Sequence, residues 1–251
     1  MAQDREKQSF GEDDLTHPAG WDALADDIFG LNVRGFRTMW VSVFSPAQLF
    51  EAARDPDWRG RYTPAIRLAF VIMALVMGLQ FLWTYEGSNA WNTVQEAIQD
   101  FEAELAGRDY DSVTREILLA NAVLYPVFYF GLHIPVSLLI GAWGKGTPMP
   151  VRSRLYFSTL VPAGILSLVI VLVQIVLTPE PFQASSAIAL LSTILVFCSV
   201  IFRGLAPRVS AGGRIWRAAL MAIVMIVITV IADFISLLAA CIYVLGAPSI
   251  G

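Results

Sequence analysis

Five long stretches of this chain carry no formal charge: residues 68–85, 117–144, 155–179, 181–202 and, interrupted only by Asp233, 218–251. A bilayer core about 30 Å thick is crossed by about 20 apolar residues in a helix rising about 1.5 Å per residue. Four runs meet that length. The first does so by starting at Thr63-Pro64, with Arg67 reaching back to the headgroups along its aliphatic stem. Pro64 suits a first helical turn, where its missing N–H costs nothing, and Thr63 suits the N-cap. In the fifth run Asp233 costs about 2.5–3.5 kcal/mol, while each Leu, Ile, Phe or Val returns about 0.3–0.6 kcal/mol. The many aliphatic residues between Leu220 and Leu245 outweigh one carboxylate. The expected fold is all-α: a polytopic membrane bundle with spans at about 64–85, 117–142, 155–178, 181–202 and 218–244.

The segments between the runs alternate in charge. Arg54, Arg59, Arg61 and Arg67 precede the first run, and Lys145, Arg152 and Arg154 follow the second. Arg203, Arg208, Arg214 and Arg217 follow the fourth. The intervening segments hold either eight acids against Arg108 and Arg115, or Glu180 alone, and the end of the chain is uncharged. Positive residues mark the cytoplasmic side, so the N-terminus is expected inside and the C-terminus outside. Trp83, Tyr85, Trp143, Tyr156, Trp216 and Tyr243 fall near span ends, where aromatic belts form.

Hydrophobic residues make up 56% of the chain, and the mean hydropathy is +0.62, both above the range of ordinary soluble domains. The net charge of −4 is less informative than its placement. Beyond the juxtamembrane arginines there is no basic stripe, so nucleic acid is not an expected partner. Fifteen of the seventeen basic residues are Arg and alanine is abundant, a composition typical of GC-rich bacterial coding. The expected location is therefore a bacterial inner membrane, the outside being periplasm. Residues 1–30 are acidic without an apolar centre, unlike a secretory signal, so the first span is expected to direct insertion. Cys198 and Cys241 each lie within a run and lack metal-ligand spacing, which predicts small packing residues and neither disulfide nor metal site.

Residues 1–34 are polar and poor in aliphatics, and are expected to be disordered. Over 35–62 the character changes to a pair of amphipathic helices. Phe36, Met39, Trp40, Val43 and Phe44 recur on one helical face. Ser45 then reads as an N-cap with Pro46 at the first position, Gln48 closing a capping box and Phe44 stapling to Leu49. Leu49, Phe50 and Ala53 form the buried face, and the helix stops near Asp55-Pro56. The pair is expected on the membrane surface or against the bundle, as a structural cuff or as a docking surface for a cytoplasmic protein. The 63–251 remainder forms the transmembrane domain.

The run Ser45-Pro46, Phe50 and Asp55-Pro56, followed by five apolar spans, resembles the Yip-type membrane proteins, in particular their bacterial relatives. The resemblance covers about residues 36–245 and implies a cytoplasmic N-terminal region and five membrane helices. Eukaryotic members bind small GTPases in vesicle traffic and carry an Asp-Leu-x-Gly-Pro type signature. That signature is absent here, so the trafficking role is not carried over, and no catalytic residue comes with the family.

Asp233 is the foremost candidate for chemistry within the membrane, since ionisable groups there face a bundle interior or a cavity. Thr229 and Ser236 flank it at helical spacing. Gln80, Asn121 and Gln174 are placed in the outer halves of the first three spans. His133 lies slightly inward of the second span's middle and would meet Asp233 only if Pro126 and Pro135 kinked that span. Small-residue stripes at Ala232/Ser236/Ala240, Ser185/Ala189/Thr193 and Ser137/Gly141 fit close helix contact, within the bundle or between copies in a homo-oligomer. In the first external loop Val94, Ile98, Phe101 and Leu105 predict an amphipathic helix ending near Gly107.

No G-x-S-x-G, H-E-x-x-H or glycine-rich phosphate loop occurs, and the stretch Gly144-Lys145-Gly146-Thr147 lacks P-loop spacing. Catalytic and metal-binding residues are thus expected to be none, and no cofactor is expected. The expected function is a non-catalytic membrane scaffold or adaptor in the lipid bilayer, with a cytoplasmic or membrane protein partner. The alternative is a small-solute or ion permease with its polar site around Asp233.

Overall fold

A computed structural model of the chain describes residues 33–83, 88–99, 107–177 and 183–246, and their regular structure is entirely helical. In order the helices are α1 (Val33–Phe44), α2 (Pro46–Ala52), α3 (Trp58–Arg61), α4 (Ala65–Trp83) and α5 (Asn89–Gln99). Then follow α6 (Tyr110–Leu139), α7 (Met149–Leu177), α8 (Gln183–Gly204) and α9 (Ala211–Leu245). The expected acidic tail falls almost wholly outside the described residues, as do Tyr85, Phe101, Leu105 and the side chain of Gln174.

Four helices are long and apolar enough to cross a membrane, over Ala65–Leu82, Tyr110–Leu139, Met149–Val173 and Ala211–Leu245. The apolar part described in α8, Ile188–Gly204, is shorter. With 30 and 35 residues, α6 and α9 run about 45 and 52 Å, so each overhangs a bilayer core. The overhang of α6 is its start, where Asp109 accepts a hydrogen bond from the Ser112 N–H at 3.1 Å and caps the helix. That of α9 is also its start, carrying Arg214 and Arg217.

Among the described residues, two of three hydrophobic clusters organise the long helices, and the third, Val41, Leu49, Ala52 and Tyr62, lies within the N-terminal helices. At the arginine-rich end, every residue of 155–163 in α7 is buried, enclosed by Leu68 and Ile72 of α4, Phe197 and Ile201 of α8, and Met221 and Met225 of α9. Gly164 lets α4 approach α7 so closely that a Cβ there would lie 2.9 Å from Ile72. At the opposite end, Val94 and Ile98 of the predicted loop helix pack on Val113 and Ile117 of α6 and on Ala240 and Val244 of α9. Arg108 ties this end together, donating to the Val244 carbonyl at 3.0 Å and pairing with Glu116 at 2.5 Å. The stripe Ala232, Ser236 and Ala240 is fully buried in the most extensive helix pair of the bundle, α6 with α9. These small residues serve the protein's own packing.

The N-terminal pair is a cuff on the arginine-rich end, with one inversion. Thr38 and Ser42 of α1 are fully buried, whereas Phe36, Trp40 and Phe44 are 62%, 66% and 53% exposed. Thr38 Oγ1 accepts from the Thr63 N–H at 3.0 Å and donates to the Arg34 carbonyl at 2.6 Å. The polar side of α1 therefore faces protein, leaving an aromatic ridge outward, which is how an interfacial helix presents itself to acyl chains. Ser45 precedes α2, but its hydroxyl makes no capping bond, and Phe44 rests on Trp40, with ring centroids 4.2 Å apart. The expected capping chemistry is replaced by docking. Arg203 of α8 donates to the Val43 and Phe44 carbonyls that end α1, a cation at a helix C-terminus. Arg208 forks onto Glu51 at 2.6 and 2.5 Å, and that guanidinium holds the Glu51 carboxyl below the usual carboxylate range. Trp143 and Tyr156, expected in an aromatic belt, are instead buried in the cuff and core, whereas Trp216 and Tyr243 are exposed as expected.

Placing a charge on the ridge, Trp40→Asp or Phe44→Asp, is expected to release α1 from the membrane. Limited proteolysis of inside-out vesicles would then show faster cleavage within residues 36–55 than in the wild type, and unchanged cleavage would count against an interfacial α1.

Candidate functional site

The seam between α6 and α9 holds three of the five polar residues singled out from the sequence. On α6, Asn121, Tyr125, Tyr129, His133 and Ser137 recur every four residues, so they share one slowly turning stripe. On α9, Thr229, Asp233 and Ser236 occupy successive turns opposite it. Ser236 Oγ lies 2.8 Å from Asn121 Oδ1 and 2.9 Å from the Asp233 carbonyl. Asn121 thus joins the turn bearing Asp233.

His133 is fully buried and does not meet Asp233. Its Nδ1 is 2.6 Å from the Tyr156 hydroxyl, and its Nε2 is 3.4 Å from Thr229 Oγ1, one turn before Asp233. The Tyr129 ring covers the imidazole at 4.2 Å between centroids. The proton placement follows from the partners. Thr229 donates its only hydroxyl hydrogen to the Met225 carbonyl at 2.8 Å, so it accepts from Nε2–H, and Nδ1 accepts from Tyr156. The relay runs Tyr156, His133, Thr229, Met225 carbonyl, and ends there, because a backbone carbonyl passes no proton onward. α6 stays a single helix through Pro126 and Pro135, and the kink-mediated contact between His133 and Asp233 does not occur.

Asp233 is on the rim of the seam and exposed. Its carboxylate has no hydrogen bond or ion pair among the described residues. Gln80 is exposed on α4, a helix that packs chiefly on α7 and also on α6. Ser137 Oγ lies 3.1 Å from Ser153 Oγ of α7.

No family model, curated protein or solved structure matches this chain.

Sequence reasoning missed Tyr125, Tyr129 and Tyr156. The first two were legible as members of the four-residue stripe, had polar periodicity been followed within the span as apolar periodicity was between spans. Tyr156 gave no such signal, since its partner is 23 residues away and its position near a span end suggested the lipid interface.

Proposed function

We propose that the protein is a non-catalytic scaffold or adaptor of a bacterial inner membrane, crossing it five times with the N-terminus in the cytoplasm. The observation carrying this reading is the contrast within the α6/α9 seam. The polar groups inside, His133 with Tyr156 and Thr229, saturate one another and terminate on a carbonyl, whereas the one carboxylate, Asp233, is presented at the bundle's flank. A carboxylate on a lipid-facing flank is costly, and a neighbouring helix that donates a hydrogen bond to it, from another protein or another copy, lowers that cost. The architecture of the Yip-type proteins accords with this plan.

Chain geometry supports α8 as a further span, the fourth in chain order, beside the four longer helices. The start of α7 is at the cuff, where Arg154 donates to the Ala53 carbonyl at 3.2 Å, and the end of α8 is there too, with Arg203 on the Val43 carbonyl at 3.1 Å. A chain that leaves this end along α7 and returns along α8 crosses twice. Reporter fusions after residues 62, 148 and 210 are expected to read cytoplasm, and those after 100, 180 and 251 the periplasm. A cytoplasmic signal at 251 would remove the five-span plan.

Asp233→Asn divides the adaptor from a permease that uses the carboxylate. Asparagine keeps the shape and hydrogen-bonding capacity while removing the ionisable group. For an adaptor, the variant in liposomes should be at least as stable as wild type, and neither should carry ion or proton flux. Flux in wild type that vanishes in a well-folded variant would overturn the adaptor reading.

A further inference from the structure

Asp233 and Tyr125 stand apart from the buried network of the seam. Asp233 is exposed on α9 and Tyr125 half-buried on α6, so neither is sealed from the bundle's flank. Among the described residues neither the carboxylate nor the phenol hydroxyl makes a hydrogen bond; the Ser236 hydroxyl reaches the Asp233 backbone, not its side chain. The two groups are close enough for the charge of the carboxylate to act on the phenol. The Tyr125 ring packs against Tyr129, with centroids 5.7 Å apart.

Depth decides what can reach this pair. Along the axis of α9, Asp233 is about 24 Å from Arg217 and about 15 Å from Tyr243, the charged and aromatic residues near the two ends of the span. An aspartate side chain is too short to snorkel over either distance. A phospholipid headgroup stays at the interface, and a hydrated ion meets acyl chains before it meets the flank. A cation carried into the membrane on a helix meets neither barrier. Ile223, Val230 and Phe234 of α9 are exposed and lie within about 100° of Asp233 around the helix, an apolar face against which such a helix can pack. A second copy of the chain does not supply the cation. The apolar runs hold no Lys or Arg, and the histidine within them, His133, is fully buried and bonded to Tyr156. Charge complementarity therefore selects a different protein.

We propose that the flank of Asp233 and Tyr125 binds a transmembrane helix of another protein through a lysine or arginine at mid-membrane depth, the carboxylate pairing with the cation and the phenol oxygen accepting a further hydrogen bond. The proposal rests on the adaptor reading and specifies the membrane partner by its charge.

The test reconstitutes the full chain, donor-labelled at its N-terminus, in phosphatidylcholine vesicles with acceptor-labelled leucine-alanine helices carrying Lys, Leu or Glu at their centre. Energy transfer is expected to give an affinity about tenfold tighter for the Lys helix than for the Leu helix, in the range of polar contacts between membrane helices. The Glu helix should bind no better than the Leu helix. Asp233→Leu should bring the Lys and Leu helices to the same affinity, and Tyr125→Phe should narrow the gap between them. The peptide comparison on the wild type carries the test even if a variant fails to fold. Equal affinity for the Lys and Leu helices in the wild type, or a Lys preference that survives Asp233→Leu, would overturn the proposal. So would energy transfer between donor- and acceptor-labelled copies of the chain that Asp233→Leu abolishes, which would give the flank to a second copy. Ion and proton flux in the same vesicles separates this proposal from the reading beneath it. Equal peptide affinities without flux remove only the helix partner, whereas a flux lost in Asp233→Asn removes the adaptor as well.

Discussion

Gly204→Val is expected to lower the stability of the protein by about 1–3 kcal/mol and to detach the cuff from the bundle. A Cβ on Gly204 would lie 2.5 Å from Phe50 Cε2, 2.6 Å from Cδ2 and 2.8 Å from Cζ. The ring has little room to yield, since Phe50 is 1% exposed and also packs edge-on with Trp143. The clash therefore falls on backbone, either opening α2 from α8 or shifting the end of α8, where Arg203 also holds the end of α1. Thermal unfolding in detergent would measure the loss, and protease cleavage within residues 45–55 would report the detachment. Pairing the change with Phe50→Leu should restore part of the stability, giving a coupling energy that two independent sites would lack. A Gly204→Val protein that melts with the wild type would mean that α2 does not dock here.

The contact between Phe50 and Gly204 also marks where the sequence stops being legible. Apolar run length identified four helices long enough to cross a membrane, because lipid imposes one requirement on every residue of a span: few charges and internally bonded backbone. Which face of a helix turns inward depends on partners far along the chain. On α1 the aromatic stripe was visible, yet its direction was set by Thr38 bonding Thr63 and by Arg203 reaching across 160 positions. Trp143 and Tyr156 were misplaced for the same reason: a span-end aromatic suits a headgroup belt equally well until Phe50 and His133 close over it. Asn121 meets the turn of Asp233 through Ser236, a contact that sequence spacing within either span does not announce. His133 belongs to a separate, interior network that only α7 completes.

That network carries the last expected result. His133→Leu removes both partners of one buried chain at once, leaving the Tyr156 hydroxyl without its acceptor and Thr229 without its donor. Leucine fills part of the imidazole volume, so the main loss is the unsatisfied hydroxyl in a dry interior, about 1–3 kcal/mol. Tyr156→Phe alone strands the imidazole Nδ1 in turn and should cost a comparable amount. Making both changes removes each stranded group together with its partner, so the double variant should lose distinctly less than the sum of the two. Melting in detergent for the four proteins gives the cycle directly. An additive cycle would mean that the 2.6 Å contact contributes nothing. The same variants weigh on function as well. If the chain from Tyr156 to the Met225 carbonyl is a structural tie, its loss lowers stability and leaves lipid-vesicle proton permeability at the wild-type level. A well-folded His133→Leu protein that abolished a wild-type proton flux would turn the tie into a conduit and move the reading from adaptor to permease.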